Sequence, residues 1–157
     1  MSPTLIVLCA TIVTAIGMEG VAWATHRYIM HGPLWVLHKS HHRPRKHVFE
    51  LNDLFGVFFS AVSIILIAVG QSGSPALLGI GIGMAVYGLI YFLLHDILVH
   101  RRIPGLRLAR LGPLKRVYQA HRLHHATRER DGAVSFGFVW SRSPGKLKQD
   151  LRRIRGG

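Results

Sequence analysis

The sequence predicts an all-α integral membrane protein: a small bundle of about three to four transmembrane helices, a histidine-rich metal site on its cytoplasmic side and an interfacial helix. Three observations predict it. Apolar runs over about residues 4–25, 54–70 and 76–94 contain no Lys or Arg, and each is long enough to cross a hydrocarbon core of about 30 Å as a helix. The chain is 49% hydrophobic yet has a formal net charge of +13, and the two properties are segregated, with all 20 Lys and Arg lying outside those runs. Ten of the 11 histidines fall into four clusters of regular spacing. A soluble protein this basic would first suggest nucleic acid; the segregation directs the charge to a membrane surface instead, and no nucleic-acid partner is expected. At 157 residues the chain suits one membrane-embedded domain, residues 1–157.

The first span leads directly into Thr25-His26-Arg27-Tyr28-Ile29-Met30-His31, and Gly32-Pro33 ends it. The absence of a positive n-region and the length of the run argue against a cleaved signal peptide. Cys9 lies inside the run, where it forms no internal disulfide or thiolate pair and reads as a small buried apolar residue. His26 and His31 are five apart, about 140° around an ideal helix, so they cannot share a regular face. His31 is therefore expected in a distorted last turn, reaching a second metal. Glu19, two turns before His26, is a carboxylate at membrane depth. It is expected to orient an imidazole or line a substrate channel; the alternative is a protonated, hydrogen-bonded group packing between helices.

Residues 34–53 carry His38-Lys39-Ser40-His41-His42, an HxxHH box that recurs as His121-Arg122-Leu123-His124-His125. On a helix these positions share one face, so each box is expected to present three imidazoles to one side, with Pro44 stopping the helix that carries the first. Asn52 and Asp53 are candidate partners of metal-bound imidazoles, or else caps of the second span. The second and third spans form a hairpin through Gln71-Ser72-Gly73-Ser74-Pro75. Gly79, Gly81, Gly83 and Gly88 predict close helix packing, with room for a bulky apolar ligand as the alternative. Tyr87, Tyr91 and Phe92 can line a substrate groove.

The third span ends in His95-Asp96-Ile97-Leu98-Val99-His100, repeating the spacing of His26 and His31. Residues 106–130 are basic and amphipathic, carry the second box and are expected to lie along the interface. Ser135 to Trp140 reads as an apolar contact strip before a basic tail at about 141–157, expected to be partly disordered over 146–155. The N-terminus and the 71–75 turn carry no Lys or Arg, so the positive-inside rule turns both outward and brings all four histidine clusters to the cytoplasmic face of the inner membrane.

Imidazole is the commonest protein metal ligand, and this many imply more than one ion. A closed zinc site needs four ligands and a haem needs few histidines, so neither suits the set, although spacing alone does not choose among Fe, Cu and Ni. A metal transporter would want ionisable residues along a path at mid-membrane, where Glu19 is the main one. His47 lacks a partner spacing and is left out. The basic face suits anionic lipid and, as an addition, an acidic electron carrier.

With two HxxxxH and two HxxHH motifs in place, the chain resembles the bacterial β-carotene hydroxylases of the fatty acid hydroxylase superfamily. Gly17-Met18-Glu19, Tyr28 to Gly32, Phe49-Glu50-Leu51-Asn52-Asp53, His95-Asp96, Leu98-Val99-His100, Ala120-His121-Arg122 and Val134-Ser135-Phe136-Gly137-Phe138 extend the likeness over about residues 15–140. The resemblance implies a membrane non-haem di-iron monooxygenase that hydroxylates C3 of β-ionone rings, taking β-carotene through cryptoxanthin to zeaxanthin, with keto-substituted rings, on a route to astaxanthin, as the further substrate class. It implies two irons, molecular oxygen as co-substrate, a carotenoid taken from the bilayer and a ferredoxin-type donor. The implied iron ligands are His26, His31, His38, His41, His42, His95, His100, His121, His124 and His125, with no catalytic residue beyond them. Glu19, Asn52, Asp53 and Asp96 are the candidates for supporting those ligands. A fatty acid or sterol hydroxylase or desaturase of the same superfamily is the alternative.

Overall fold

The computed structural model describes residues 1–44, 47, 49–106 and 112–156, all helical or irregular with no strand among them. Arg45, Lys46 and residues 107–111, which belong to the expected basic stretch and the expected interfacial segment, lie outside the described residues, as does Gly157. The helices are α1 (Pro3–Ala24), α2 (Trp35–His38), α3 (Asp53–Gln71), α4 (Pro75–Tyr91), α5 (Gly112–His124) and α6 (Pro144–Gly156). α1 and α4 each run on without a break into a π-helical turn, Thr25–Met30 and Phe92–Val99 respectively.

The three apolar runs give three candidate membrane spans, Pro3–Met30, Asp53–Gln71 and Pro75–Val99. Both α1 and α4 begin on a Ser-Pro pair: Ser2 and Ser74 accept from the backbone N–H three residues on, and the prolines occupy a position that has no N–H partner to lose. Only 6% of the first span's apolar window is buried within the protein, so that surface is made for lipid rather than for a core.

α4 packs on both α1 and α3, and its glycines make this possible. A Cβ on Gly79 would meet the Val7 carbonyl oxygen at 2.6 Å and Ala10 at 2.7 Å; one on Gly83 would meet the Thr11 carbonyl oxygen at 2.6 Å. Gly81 faces α3, where a Cβ would come within 2.8 Å of Ile67. Hydroxyls bridge the same contacts: Thr11 donates to the Gly79 carbonyl at 3.2 Å and Ser63 to that of Gly81 at 2.7 Å. Close packing thus accounts for three of the four glycines, whereas Gly88 has open space and borders a cavity.

Two expectations are corrected. The first HxxHH box does not ride on a helix that Pro44 ends: α2 stops at His38, and His41 and His42 follow in turns. The basic tail is not disordered over 146–155. It forms α6, whose Leu147 and Leu151, four apart and buried, pack against Ala120, Leu123 and Val134. The few leucines of a highly charged segment were enough because α5 offered them a matching apolar stripe.

Filling the α1–α4 contact should be costly. Gly83→Leu is expected to destabilise the protein by about 1–3 kcal/mol, read as a lowered unfolding midpoint in detergent. Gly20→Ala, where an added methyl meets nothing within 4 Å, should leave the midpoint unchanged or slightly raised.

Candidate metal centre

A five-residue spacing is out of phase on an α-helix but in phase where the hydrogen bond runs from i to i+5. The His31 N–H donates to the His26 carbonyl and the His100 N–H to the His95 carbonyl, each at 3.0 Å. These are the closing bonds of the two π-helical turns. The turns place each histidine pair on one side, correcting the expectation that His31 departs toward a second metal.

The imidazoles converge in two groups. His26, His31, His38, His42 and His124 form one, with all five side chains buried; His41, His100, His121 and His125 form the other. Within each group the donor nitrogens all lie within 4.8 Å of one another. His95 falls outside the second group by this measure, yet its Nε2 is 3.0 Å from that of His41. The HxxHH boxes, each expected to present three imidazoles to one side, divide between the two groups. The first sends His38 and His42 to one group and His41 to the other, and the second divides into His124 against His121 and His125. The groups adjoin, the rings of His42 and His125 being stacked with centroids 4.6 Å apart. His47 is exposed and belongs to neither.

Seven of the imidazoles have Nδ1 against an oxygen that can only accept. His26 donates to the Phe136 carbonyl, His31 to that of Arg130, His42 to that of Thr127 and His124 to that of Val134, at 2.7–3.1 Å. His38 donates to Asn52 Oδ1 at 2.6 Å, His41 to Glu50 Oε2 at 3.0 Å and His95 to Asp96 Oδ1 at 3.1 Å. A neutral ring that donates from Nδ1 presents a bare lone pair at Nε2. The Nε2 atoms of these same rings nevertheless face one another: His26–His38 and His31–His124 at 3.2 Å, His38–His42 and His42–His124 at 3.1 Å. Such pairs have no proton to share, so the contacts are not hydrogen bonds. They are lone pairs aimed at a common point, the arrangement a cation requires.

The separations also carry geometry. Metal–nitrogen bonds of about 2.1 Å put two ligands about 3.0 Å apart at right angles and about 3.4 Å apart at a tetrahedral angle. The observed edges of 3.1–3.2 Å fall between these two separations, as the nitrogens of residues that would hold one ion do.

Burial supports the same protonation. It pushes the His38 imidazole down to about 3 and that of His42 down to about 4, with neighbouring imidazoles adding to the effect and a hydrogen-bond acceptor opposing it in each case. His41, His121, His124 and His125 are held well below the ordinary imidazole range by burial and then by one another.

The supporting residues differ from the sequence reading. Asn52 and Asp96 each hold an imidazole, and so does Glu50, which was missed although it lies two residues before Asn52. Asp53 takes the Glu50 N–H and the Arg102 guanidinium, and that guanidinium also reaches Asp96 at 3.4 Å. Glu19 serves no imidazole in the described hydrogen bonds. Its Oε1 accepts from the N–H groups of Phe138, Val139 and Trp140 at 2.9–3.1 Å, and the Tyr87 hydroxyl donates to its Oε2 at 2.7 Å. The four carbonyls at Thr127, Arg130, Val134 and Phe136 were invisible in sequence because any residue supplies one.

Beside the imidazoles, a cavity of about 510 Å³ lies among the spans, lined mainly by apolar side chains of α1, α3 and α4. Tyr87, Tyr91 and Phe92 are among its walls, as the groove reading expected. A second, polar pocket of about 500 Å³ is bordered by His41, His42, His100 and His125 together with Arg43, Arg101, Arg122 and Arg128.

A sequence profile for fatty acid hydroxylase matches residues 11–143. A β-carotene hydroxylase of Pseudescherichia vulneris is 59% identical over 145 residues, covering 92% of this chain and 82% of the relative. One from Paracoccus sp. (strain PC1) is 53% identical, covering 90% of this chain and 88% of the relative. The chloroplastic β-carotene 3-hydroxylase 1 of Arabidopsis thaliana is 42% identical over 71% of this chain, which spans 37% of that longer protein. No solved structure gives a significant match.

Two outcomes follow from the geometry. Asn52→Ala and Glu50→Gln should each weaken metal retention about 10- to 100-fold, measured by metal analysis after graded chelator treatment. The metal-free protein should lose stability in acid. Below about pH 6.5 the unfolded chain takes up protons that His42 and His38 refuse in the folded chain until about pH 4 and about pH 3. Its unfolding midpoint should therefore fall as pH is lowered from about 7 to 5, and a flat profile would contradict neutral folded imidazoles.

Proposed function

The chain belongs to the fatty acid hydroxylase family, and from that premise we propose that it is a β-carotene 3-hydroxylase, an oxygen-dependent membrane monooxygenase that hydroxylates C3 of β-ionone rings. The observation that carries this reading is the juxtaposition of two groups of convergent imidazoles with an apolar cavity formed by the spans. A C40 hydrocarbon partitions into the bilayer, so it reaches such a cavity laterally and not through water. The ten histidines of the four motifs hold two non-haem irons, which with molecular oxygen supply an oxidant that no side chain can provide. In each turnover a C–H bond, dioxygen, an electron pair and two protons give an alcohol and water. β-Carotene passes through cryptoxanthin to zeaxanthin, and a ring bearing a keto group fits the same chemistry.

The protein's own part is to position and to protect. Nδ1 hydrogen bonds fix the imidazole tautomers before the metal arrives, so little reorganisation is needed. Tyr91 and Phe138 separate the cavity from the imidazoles: Tyr91 stacks on His95 at 4.6 Å and Phe138 on His26 at 5.0 Å. The electron pair comes from a ferredoxin-type donor. The polar pocket suits it, because four guanidinium groups attract an acidic surface to the place where His100 and His125 are least buried. Segregation of positive charge supports a place for this pocket on the cytoplasmic side of the inner membrane.

Expression in β-carotene-producing bacterial cells tests the reading. The parent chain should yield zeaxanthin, and an equally abundant His124→Ala variant should yield none. Unchanged β-carotene from abundant parent, in cells supplied with a working donor, would overturn the carotenoid assignment.

A further inference from the structure

Glu19 is a carboxylate at membrane depth whose hydrogen bonds run to a segment far away in sequence. Three successive N–H groups, those of Phe138, Val139 and Trp140, converge on Oε1, and Val139 also reaches Oε2 at 3.2 Å. The Tyr87 hydroxyl, from α4, completes the set at 2.7 Å. Consecutive N–H groups curled around one oxygen make a fixed anion cradle. It requires Gly137, where a Cβ would lie 2.8 Å from Glu19 Oε1 and would strike the Trp140 carbonyl. Glu19 thereby ties residues 137–140 to α1 and α4, and the tie fixes the Phe138 side chain.

Phe138 is buried, borders the apolar cavity and touches imidazoles of both groups. Its ring stacks on His26 with planes 13° apart, and lies 5.5 Å from His95 and 5.9 Å from His121 between centroids. Tyr91 meets it edge-on at 4.7 Å. A ring entering the cavity from the membrane therefore meets Phe138 before it meets the metal ligands.

We propose that Phe138 is the end-stop that selects the oxidised carbon, and that Glu19 is the positioning residue that holds it in place. The proposal rests on the reading of the chain as a β-carotene 3-hydroxylase. In a β-ionone ring the polyene is attached at the carbon directly opposite C3, so C3 is the leading atom when the ring enters lengthwise. A wall at fixed depth presents C3 to the oxidant. Removing the wall lets the ring advance or tilt, and the flanking methylenes C2 and C4 come into range. Regiochemistry is sensitive to such a change, since a misplacement of about 1 Å alters reaction rates about 100-fold.

The test is product analysis in β-carotene-producing cells expressing the parent, Phe138→Ala, Phe138→Leu, Phe138→Tyr and Glu19→Gln. Metal content of each purified protein is measured in parallel, together with its affinity for β-carotene by quenching of tryptophan fluorescence. Phe138→Ala and Phe138→Leu are expected to place roughly a tenth or more of the hydroxyl at C2 or C4. They should do so with parental metal content, since Phe138 is not a metal ligand, and any loss of β-carotene affinity should lower the yield without restoring exclusive C3 products. Phe138→Tyr, which keeps a ring, should stay with C3. Glu19→Gln keeps one oxygen for the three N–H groups but replaces the acceptor of the Tyr87 hydroxyl by an N–H₂ and removes the charge, so it should loosen the cradle and give the same mixed products to a smaller extent. C3 products alone from both Phe138→Ala and Phe138→Leu would overturn the proposal, whatever their yield. If Phe138→Ala gives no product, Phe138→Leu decides. Exclusive C3 products from Glu19→Gln beside mixed products from the Phe138 variants would remove Glu19 from the role. Failure of the parent to make zeaxanthin would instead strike the functional reading itself.

Discussion

Facing lone pairs are the constraint on which the rest of this structure depends. Rings whose Nδ1 protons are already given to oxygen meet at Nε2 across 3.0–3.2 Å, as His31 meets His124 and His41 meets His95. Without a cation these contacts repel, and burial removes the water that would otherwise screen them. The surrounding fold must therefore hold these side chains against that repulsion, in an arrangement that a bound cation would make favourable. That explains why so much backbone is committed to the imidazoles. The segment from Thr127 to Phe136 has no helix or strand to satisfy its carbonyls, and four of them are satisfied by histidine N–H groups instead. The irregular segment and the metal centre solve each other's hydrogen-bonding problem.

The spans were legible because hydropathy and charge are so cleanly separated, and the histidines were legible because their spacings repeat. What the spacing meant was only half legible. Five residues on an α-helix point in different directions, and the inference that His31 serves a second metal followed from that geometry. The π turns change the premise: the His31 N–H bonds back to His26 and the two rings join one group. The same step at His95 and His100 makes both HxxxxH motifs of this chain coincide with a π turn. The HxxHH boxes were expected to turn three imidazoles to one side, which leaves open which group each ring joins, and two groups lying side by side divide the three rings of each box between them.

Other parts were not legible for different reasons. A backbone carbonyl has no letter in the sequence, so the partners of His26, His31, His42 and His124 had no signal to offer. Glu19 announced itself as a carboxylate at membrane depth, but its backbone partners are N–H groups about 120 residues away. The α6 helix was masked by its charge, since only Leu147 and Leu151 pack and the matching stripe on α5 becomes visible once both helices are formed. In each case the missing information is a long-range pairing between one ordinary residue and another.

The two histidine groups are built of the same side chain but do not have the same surroundings. In the first group the known Nδ1 partners are neutral, four carbonyls and the Asn52 amide. In the second, His41 leans on Glu50, and its neighbour His95 leans on Asp96. A carboxylate partner makes an imidazole a stronger donor than a carbonyl does, so a metal held at the second position would be the one more stabilised at higher positive charge. Arg102 moderates that difference, because it pairs with Asp53 at 2.7 Å and lies 3.4 Å from Asp96 and 3.9 Å from Glu50. His41, His100 and His125 of the second group border the arginine-lined pocket, whereas the first group meets it through His42 and has all five side chains buried. An electrostatic gradient thus runs across the pair, from a neutral, enclosed site to an anionic one beside the polar pocket. Phe138 touches both, through His26 on one side and His121 on the other. The apolar cavity therefore meets the metal centre at the boundary between its two halves.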